Sequence, residues 1–241
     1  MELTLLDKKQ ETKNVWSFYF TPPPPVLWTA GQFMVYQLPH EKQDVRGKMR
    51  FFTISSAPFE NQIVITTKID AKSGSSFKKA LLELKKGETI QAKGPDGNFV
   101  IDSLKSNYVF IAGGIGITPF RSILAQMNHE SKTAPPSKPL ATHGNNQESK
   151  ITLIYSNKDE DVVFKDELDE ISKSLPGLKI KYLTGERIDR NTIKENVPDY
   201  QNCIFYISGP NSMVDSMMEL LKELGVLEKD IRQDYFHGYD N

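Results

Sequence analysis

Two short stretches of this chain hold residue types and spacings that could do chemistry. The first is Gly113-Gly114-Ile115-Gly116-Ile117-Thr118-Pro119. Glycines let backbone N–H groups approach a ligand closely, and a helix starting just after them adds unpaired donors and partial positive charge, which suits a phosphate or pyrophosphate. Thr118 and Pro119 are the types favoured at a helix start, a capping hydroxyl and a proline in the first turn. The second stretch is Arg50-Phe51-Phe52-Thr53-Ile54-Ser55-Ser56. Arg50 and Thr53 bring a fixed cation and a hydroxyl to one region, and Phe52 adds a flat apolar face, the set that an anionic aromatic ligand needs. Neither stretch decides alone. A glycine corner that merely packs a helix on a sheet has the same composition, and counting from Gly114 the last position of G-x-G-x-x-G is Pro119. The Arg50 stretch also reads as a strand that alternates core and surface residues.

The elements that must position these residues divide the chain in two. Residues 1–102 carry short segments rich in β-branched and aromatic residues, at 15–20, 32–37, 51–55, 62–68 and 89–92, which suggests a small antiparallel barrel or sandwich. One helix interrupts them, with Phe77, Ala80, Leu81 and Leu84 on one face, Ser75 or Ser76 at its start and Gly87 after its end. Residues 22–25 form a stiff proline connector. From about residue 105 strands and helices alternate. The apolar run 108–112 leads into the glycines, and Phe120, Ile123, Leu124 and Met127 follow at helical spacing. Strands are expected at 151–155, 179–183 and 203–208. Helices are expected around Phe164, Leu168, Ile171 and Leu175, and around Met213, Met217, Leu220 and Leu224. This is the pattern of a parallel sheet covered by helices on both sides, giving a second domain over 103–241. Ligands of such sheets bind at the carboxyl ends of the strands, where 113–118, 156–158 and 209–210 all fall. Residues 129–150, rich in Pro, Ser, Asn and Lys, are expected to be a flexible surface insertion. His129 and His143 within it are too isolated to suggest a metal.

Composition narrows the function classes. The 30 basic and 31 acidic side chains among 241 residues give no field that would attract nucleic acid. No apolar run approaches the ~18 residues of a membrane span, and the first residues lack a basic segment followed by an apolar one, so the chain reads as cytoplasmic. A single cysteine, Cys203, excludes an internal disulfide and an iron–sulfur cluster held on the usual all-cysteine ligand set of one chain. Cys203 opens an expected buried strand and reads as core.

The stretch RFFTISSAP at 50–58 resembles the flavin motif of the ferredoxin–NADP reductase family, R-x-Y-[ST], and GGIGITP resembles that family's G-x-G-x-[TS]-P nicotinamide motif. The similarity continues in order through YSNKDEDVVFKDEL, YISGPNSMV and IRQDYFHGY. The resemblance implies an N-terminal antiparallel flavin-binding β-barrel followed by a parallel α/β NAD(P)-binding domain. It also implies hydride passing from NAD(P)H to flavin N5 and electrons leaving to a separate acceptor: a ferredoxin, flavodoxin, haem protein, oxygenase component or small oxidant. FAD is the expected cofactor, FMN the alternative, and the chain is expected to act as a monomer. Two rival readings stand beside this one: a flavin-binding electron-transfer subunit of a larger complex, and a non-redox binding module that keeps the fold.

Carried over residue by residue, Arg50 would pair with the flavin phosphates, Phe52 would lie against the isoalloxazine or ribityl chain, and the Thr53 hydroxyl would sit near N5. The family tyrosine is Phe52 here, so a hydroxyl contact is lost while the ring is kept. Lys68 to Ser76 resembles the second flavin segment, with Lys68, Gly74, Ser75 and Ser76 as the candidates. Gly114, Gly116, Thr118 and Pro119 would bracket the pyrophosphate and nicotinamide. Ser208, Gly209 and Pro210 resemble the family's C-G-P, with Ser208 replacing the cysteine, a change expected to slow or retune hydride transfer. Ser156 and Lys158 could hold a 2′-phosphate, but Asp159, Glu160 and Asp161 would repel it, so NADH and NADPH both stay open. Phe236 and Tyr239 resemble the aromatic segment that covers the flavin, and Thr53, Ser208 and Phe236 are the catalytic candidates.

Overall fold

The structure, a computed structural model, describes residues 1–22, 26–41, 43–45, 47–70, 74–101, 106–133, 142–143 and 147–235. The N-terminal part is one antiparallel sheet of β1 (Glu2–Thr12), β2 (Val15–Thr21), β3 (Phe33–Gln37), β4 (Met49–Thr53), β5 (Ile63–Lys68) and β6 (Thr89–Asp96), in the order β4-β3-β6-β1-β2-β5. Just past β4, the Ser55 N–H donates to Val64 O of β5 at 2.9 Å, so the two outer strands meet and the sheet rolls into a barrel. Phe18, Phe20, Met34, Tyr36, Ile65 and Phe77 fill its interior. Helix α1 (Ser76–Glu83) packs Phe77 and Leu81 into that core, and the Ser75 side chain caps it by accepting from Lys78 N.

The C-terminal part is a parallel sheet of β7 (Asn107–Gly113), β10 (Ile151–Asn157), β11 (Leu178–Thr184), β12 (Cys203–Gly209) and β13 (Ile231–Tyr235), in the order β11-β10-β7-β12-β13. A two-residue ladder, β8 (Thr142–His143) with β9 (Gln147–Glu148), precedes β10. Central β7 is buried on both faces, which is why it reads as an unbroken apolar run. Tyr108 and Phe110 pack against α2 (Thr118–Thr133) and α3 (Lys165–Ser174) through Phe120, Leu124, Leu168 and Ile171. Val109 and Ile111 face α4 (Arg190–Asn196) and α5 (Asn211–Glu223) through Ile193, Val214, Met217 and Leu221. Helix α2 continues through residues 129–133, so the polar segment expected from 129 is helical at its start, and the His129 ring stacks on Phe59 at 4.2 Å.

The barrel and the α/β unit share an apolar and polar junction. Phe99 meets Phe120 at 5.6 Å and Tyr206 at 5.0 Å between ring centroids, and Tyr206 Oη donates to Val100 O at 2.6 Å. The expected domain boundary at 102/103 and residues 23–25 of the proline connector lie outside the described residues. Among the described residues no helix is long and apolar enough to cross a membrane.

Candidate functional site

The glycine stretch is a 3-10 turn over Gly114–Ile117, placed between the end of β7 and the start of α2. Its three glycines serve different ends. A Cβ at Gly116 would lie 2.3 Å from Ser208 O and 2.7 Å from Gly209 Cα, so this glycine is needed for close backbone packing on the end of β12, while one at Gly113 would lie 2.1 Å from the movable Met213 Sδ at the start of α5. Gly114 is different: its φ of +52° is left-handed and a Cβ there would meet nothing within 4 Å. That open side is where a ligand can come close to the backbone. Thr118 is buried and its hydroxyl donates back to Ile115 O at 3.2 Å, which braces the turn. Pro119 is buried in the first turn of α2.

Parallel pairing carries the remaining nucleotide-side candidates to the same edge. Ser208 is the register partner of Ala112 across β7 and β12, and Ser156 that of Gly113 across β7 and β10. Strand order reverses between β7 and β12, the place where open parallel sheets form a ligand crevice. Ser208 is fully buried, and among the described residues its Oγ has no hydrogen-bond partner, a cost of ~1–3 kcal/mol for a hydroxyl with no second function. Period-two alternation puts it on the same face as Tyr206, over the glycine turn. Gly209 closes β12 and Pro210 starts α5, accepting from the N–H groups of Met213 and Val214 at 3.0 Å. Ser156 Oγ donates to Glu186 O at 3.0 Å, and Lys158 is exposed just past β10. The turn also touches barrel strand β5, so the two halves of the expected site adjoin.

On the barrel side, Arg50 and the start of α1 come together. The Arg50 guanidinium lies over the Phe77 ring at 5.4 Å, and its Nη2 donates to Asp44 Oδ1 at 3.2 Å. Its Nη1 donates to Gly47 O at 3.0 Å and Met49 O at 2.6 Å. The Ser76 N–H, at the first position of α1, donates to Asp44 Oδ2 at 3.0 Å. Fixed cation and helix N-terminus thus share one carboxylate, an anion seat of the kind a phosphate fits. Ser75 is buried as the cap, while Gly74 donates its N–H to Asp70 O at 2.9 Å and has no room for a Cβ, which would be 2.2 Å from that oxygen. Lys68 is exposed at the end of β5, and its carbonyl accepts from Lys78 Nζ at 3.0 Å.

Phe52 faces the barrel interior. Its ring is only 8% exposed and packs between Tyr36 and Phe77, each 5.9 Å away, whereas Phe51 is 68% exposed beside Phe33. Pairing of Phe52 with buried Met34 settles which of the two adjacent rings points inward, and a phenyl ring without a hydroxyl gains most by burial. Burial keeps the Tyr36 phenol well above its usual range, protonated, with no partner for its oxygen among the described residues. Thr53, also buried, ends β4, two residues before Ser55, whose carbonyl accepts from Arg121 of α2. Ser73, Phe236 and Tyr239 lie outside the described residues. Cys203 is buried and free; burial and then Asp199 push its thiol up to about 11, so it stays a thiol at neutral pH.

One group in this region has no motif to announce it. Arg121, in the first turns of α2, gives all five of its N–H donors: Nε and Nη2 to Glu167 at 3.1 and 2.6 Å, Nη2 and Nη1 to Glu60, and Nη1 to Ser55 O at 3.1 Å. Burial alone would lower its pKa, but the Glu60 and Glu167 carboxylates raise it overall. Next to it, Ser122 Oγ donates to Ser56 O at 2.7 Å. The helix that begins at the glycine turn is therefore pinned to the segment that follows Thr53. No local pattern marks Arg121, which lies among the buried residues Phe120, Ser122, Ile123 and Leu124 of the same helix.

The architecture is an antiparallel barrel joined to a parallel α/β sheet whose glycine turn leaves open backbone at Gly114 beside the strand ends. Residues 110–219 match the oxidoreductase NAD-binding domain family. The chain is 25% identical over 256 residues to flavohemoprotein A of Dictyostelium discoideum, a match covering 98% of this chain and 60% of that relative's length. Two solved structures share its fold. The FAD/NAD-binding domain of nitric oxide dioxygenase from Vibrio cholerae has a TM-score of 0.79 at 19% identity, over 98% of both chains. The ferredoxin–NADP+ reductase of Plasmodium falciparum with 2′P-AMP has 0.76 at 21% identity, over 98% of this chain and 95% of that one. At such identities these likenesses show that the chain has the two-domain fold of these reductases.

Proposed function

We propose that the chain is an NAD(P)H-dependent flavoprotein reductase that sends electrons to a separate acceptor. The observation that carries this reading is the seating of the Gly114–Ile117 turn, in the NAD-binding domain, against barrel strand β5, with the Arg50 anion seat in the same barrel. The residues present fit a flavin: a cation and a helix N-terminus already share an anion, as a flavin phosphate would require. They also fit a nicotinamide dinucleotide, through the open left-handed backbone at Gly114 and the buried hydroxyl of Ser208, which has no partner among the described residues.

When bound, flavin supplies the two-electron redox chemistry and the ability to release electrons singly. The chain's own residues bind and orient. Arg50 and the Ser76 N–H hold the phosphate, with Ser75 fixing the helix start and Gly74 and Lys68 lining the same end of the barrel. Thr53, at the end of β4, places its hydroxyl by the flavin N5. Phe52 supports the seat from inside by backing Phe77. Gly114 and Gly116 bring the nicotinamide side close, Thr118 and Pro119 hold the turn, and Ser208, Gly209 and Pro210 form the opposite wall. Ser156 and Lys158 flank the far end of the dinucleotide, whether NADH or NADPH. Residues 1–102 serve the flavin and 103–241 the dinucleotide. FAD is the first choice and FMN the second. The acceptor is a separate protein or small molecule, and the chain works as a cytoplasmic monomer with no nucleic-acid partner.

Reconstitution tests this directly. The protein stripped of any flavin is mixed with FAD or FMN, and the bound form is treated anaerobically with NADH and then NADPH. Uptake of a flavin whose visible absorbance is bleached by at least one nucleotide is expected. Folded protein that takes up neither flavin overturns the reading.

A further inference from the structure

We infer that Asp44 is an internal competitor of the cofactor phosphate, so that this chain holds its flavin loosely and exchangeably. The inference rests on the reading of Arg50 and α1 as the phosphate seat. An anion seat needs a fixed positive group and donors aimed at one point, and here both are aimed at a carboxylate of the chain itself. Asp44 Oδ1 takes the Arg50 Nη2 bond at 3.2 Å, and Oδ2 takes the Ser76 N–H bond at 3.0 Å. The contact is reciprocal, because the Asp44 N–H donates to Ser76 Oγ at 3.0 Å.

The loop that presents Asp44 is built to keep it there. Asp44 O accepts from Gly47 N at 2.8 Å in a tight turn, with Gly47 at a φ of +65°. From the other side, His40 Nε2 lies 2.8 Å from Ser76 Oγ and its Nδ1 2.8 Å from Leu38 O. Side chains of Arg50 and Asp44 keep 13% and 27% of their exposure, so the pair is shielded yet open enough for a ligand to reach. A flavin phosphate must displace the carboxylate from Arg50 and the Ser76 N–H before it can take those donors. Binding is weakened by that exchange. The isoalloxazine and ribityl parts do not touch the exchange, because they carry no anion.

The test is a flavin fluorescence-quenching titration of the whole chain and of its Asp44→Asn and Asp44→Ala variants with FMN, FAD and riboflavin, at fixed ionic strength. Both variants are expected to bind FMN and FAD roughly tenfold more tightly than the parent, since the charge-assisted contacts of the carboxylate with Arg50 and the Ser76 N–H are weakened or lost. Riboflavin, which lacks a phosphate, is expected to bind all three forms alike. Unchanged or weaker FMN and FAD binding in the variants overturns the inference, the weaker result meaning that Asp44 orients Arg50 for the cofactor. Tightening that riboflavin shares overturns it as well. Asp44→Asn keeps the side-chain shape and carries the test if Asp44→Ala does not fold, as judged by circular dichroism. Folded protein in which no form binds any flavin overturns the cofactor reading itself and this inference with it.

Discussion

Replacing Arg121 with methionine would test how the two halves of the site are held in line. The side chain is 14% exposed and donates to two carboxylates and a backbone carbonyl, so methionine would remove every one of these bonds and leave Glu60 and Glu167 facing each other. Breaking a fully buried pair by removing one partner costs ~3–5 kcal/mol. Glu60 and Glu167 keep 26% and 36% of their side-chain exposure, so water can take over part of the role. The expected loss is therefore about 2–3 kcal/mol, or roughly 5–10 °C in Tm for a chain of this size. Urea unfolding followed by fluorescence reads it, and Arg121→Lys, which keeps the charge but not the planar fork, should fall between. A second readout separates alignment from stability. With flavin bound and substrate saturating, Arg121→Met should slow flavin reduction more than it raises KM, since the glycine turn is no longer fixed to the segment after Thr53. A methionine variant within about 0.5 kcal/mol of the parent would refute the reasoning, because the five bonds would then hold nothing that matters to the fold.

Three other changes follow from the same geometry. Gly116→Ala forces a Cβ into backbone atoms of Ser208 and Gly209 and should cost ~2–3 kcal/mol or more, whereas Gly114→Ala meets no atoms and should cost only about 1 kcal/mol for its left-handed φ; denaturant titration compares them. Ser208→Ala removes a buried unpaired hydroxyl and should leave stability equal or higher by ~1 kcal/mol while slowing flavin reduction; an unchanged rate would remove Ser208 from the site. Cys203 should react slowly with a thiol reagent at pH 8. Its thiol is the uncharged form favoured by folding, so it adds no pH slope below the unfolded pKa near 9 and loses stability as pH rises toward about 11, a slope that Cys203→Ala should abolish.

Much of the architecture was legible because burial leaves a rhythm. The β7 run, the turn and α2 read directly, since a central parallel strand is apolar on both faces and its helix on one. Strand β1 did not, because ELTLLDKKQET buries Leu3 and Leu5 and then runs into charged residues on an exposed barrel wall. Edge strand β13, IRQDY, and the short helix α4, with Ile193 as its buried residue, carry too little apolar signal for the same reason. Phe51 and Phe52 were ambiguous as adjacent identical rings, and only strand pairing shows which one turns inward. Arg121 with Glu60, and Asp44 with Arg50 and Ser76, are contacts between side chains far apart in sequence, and no local pattern encodes such meetings.

The most direct test of the central claim is a single anaerobic turnover with nicotinamide nucleotide deuterated at the transferred position of C4. The flavin-loaded chain should bleach in one phase, and the deuterated nucleotide should slow that phase by a primary isotope effect. Bleaching at equal rates would mean that hydride transfer is not the step this site aligns. A flavin-loaded protein that neither nucleotide bleaches would contradict the account outright.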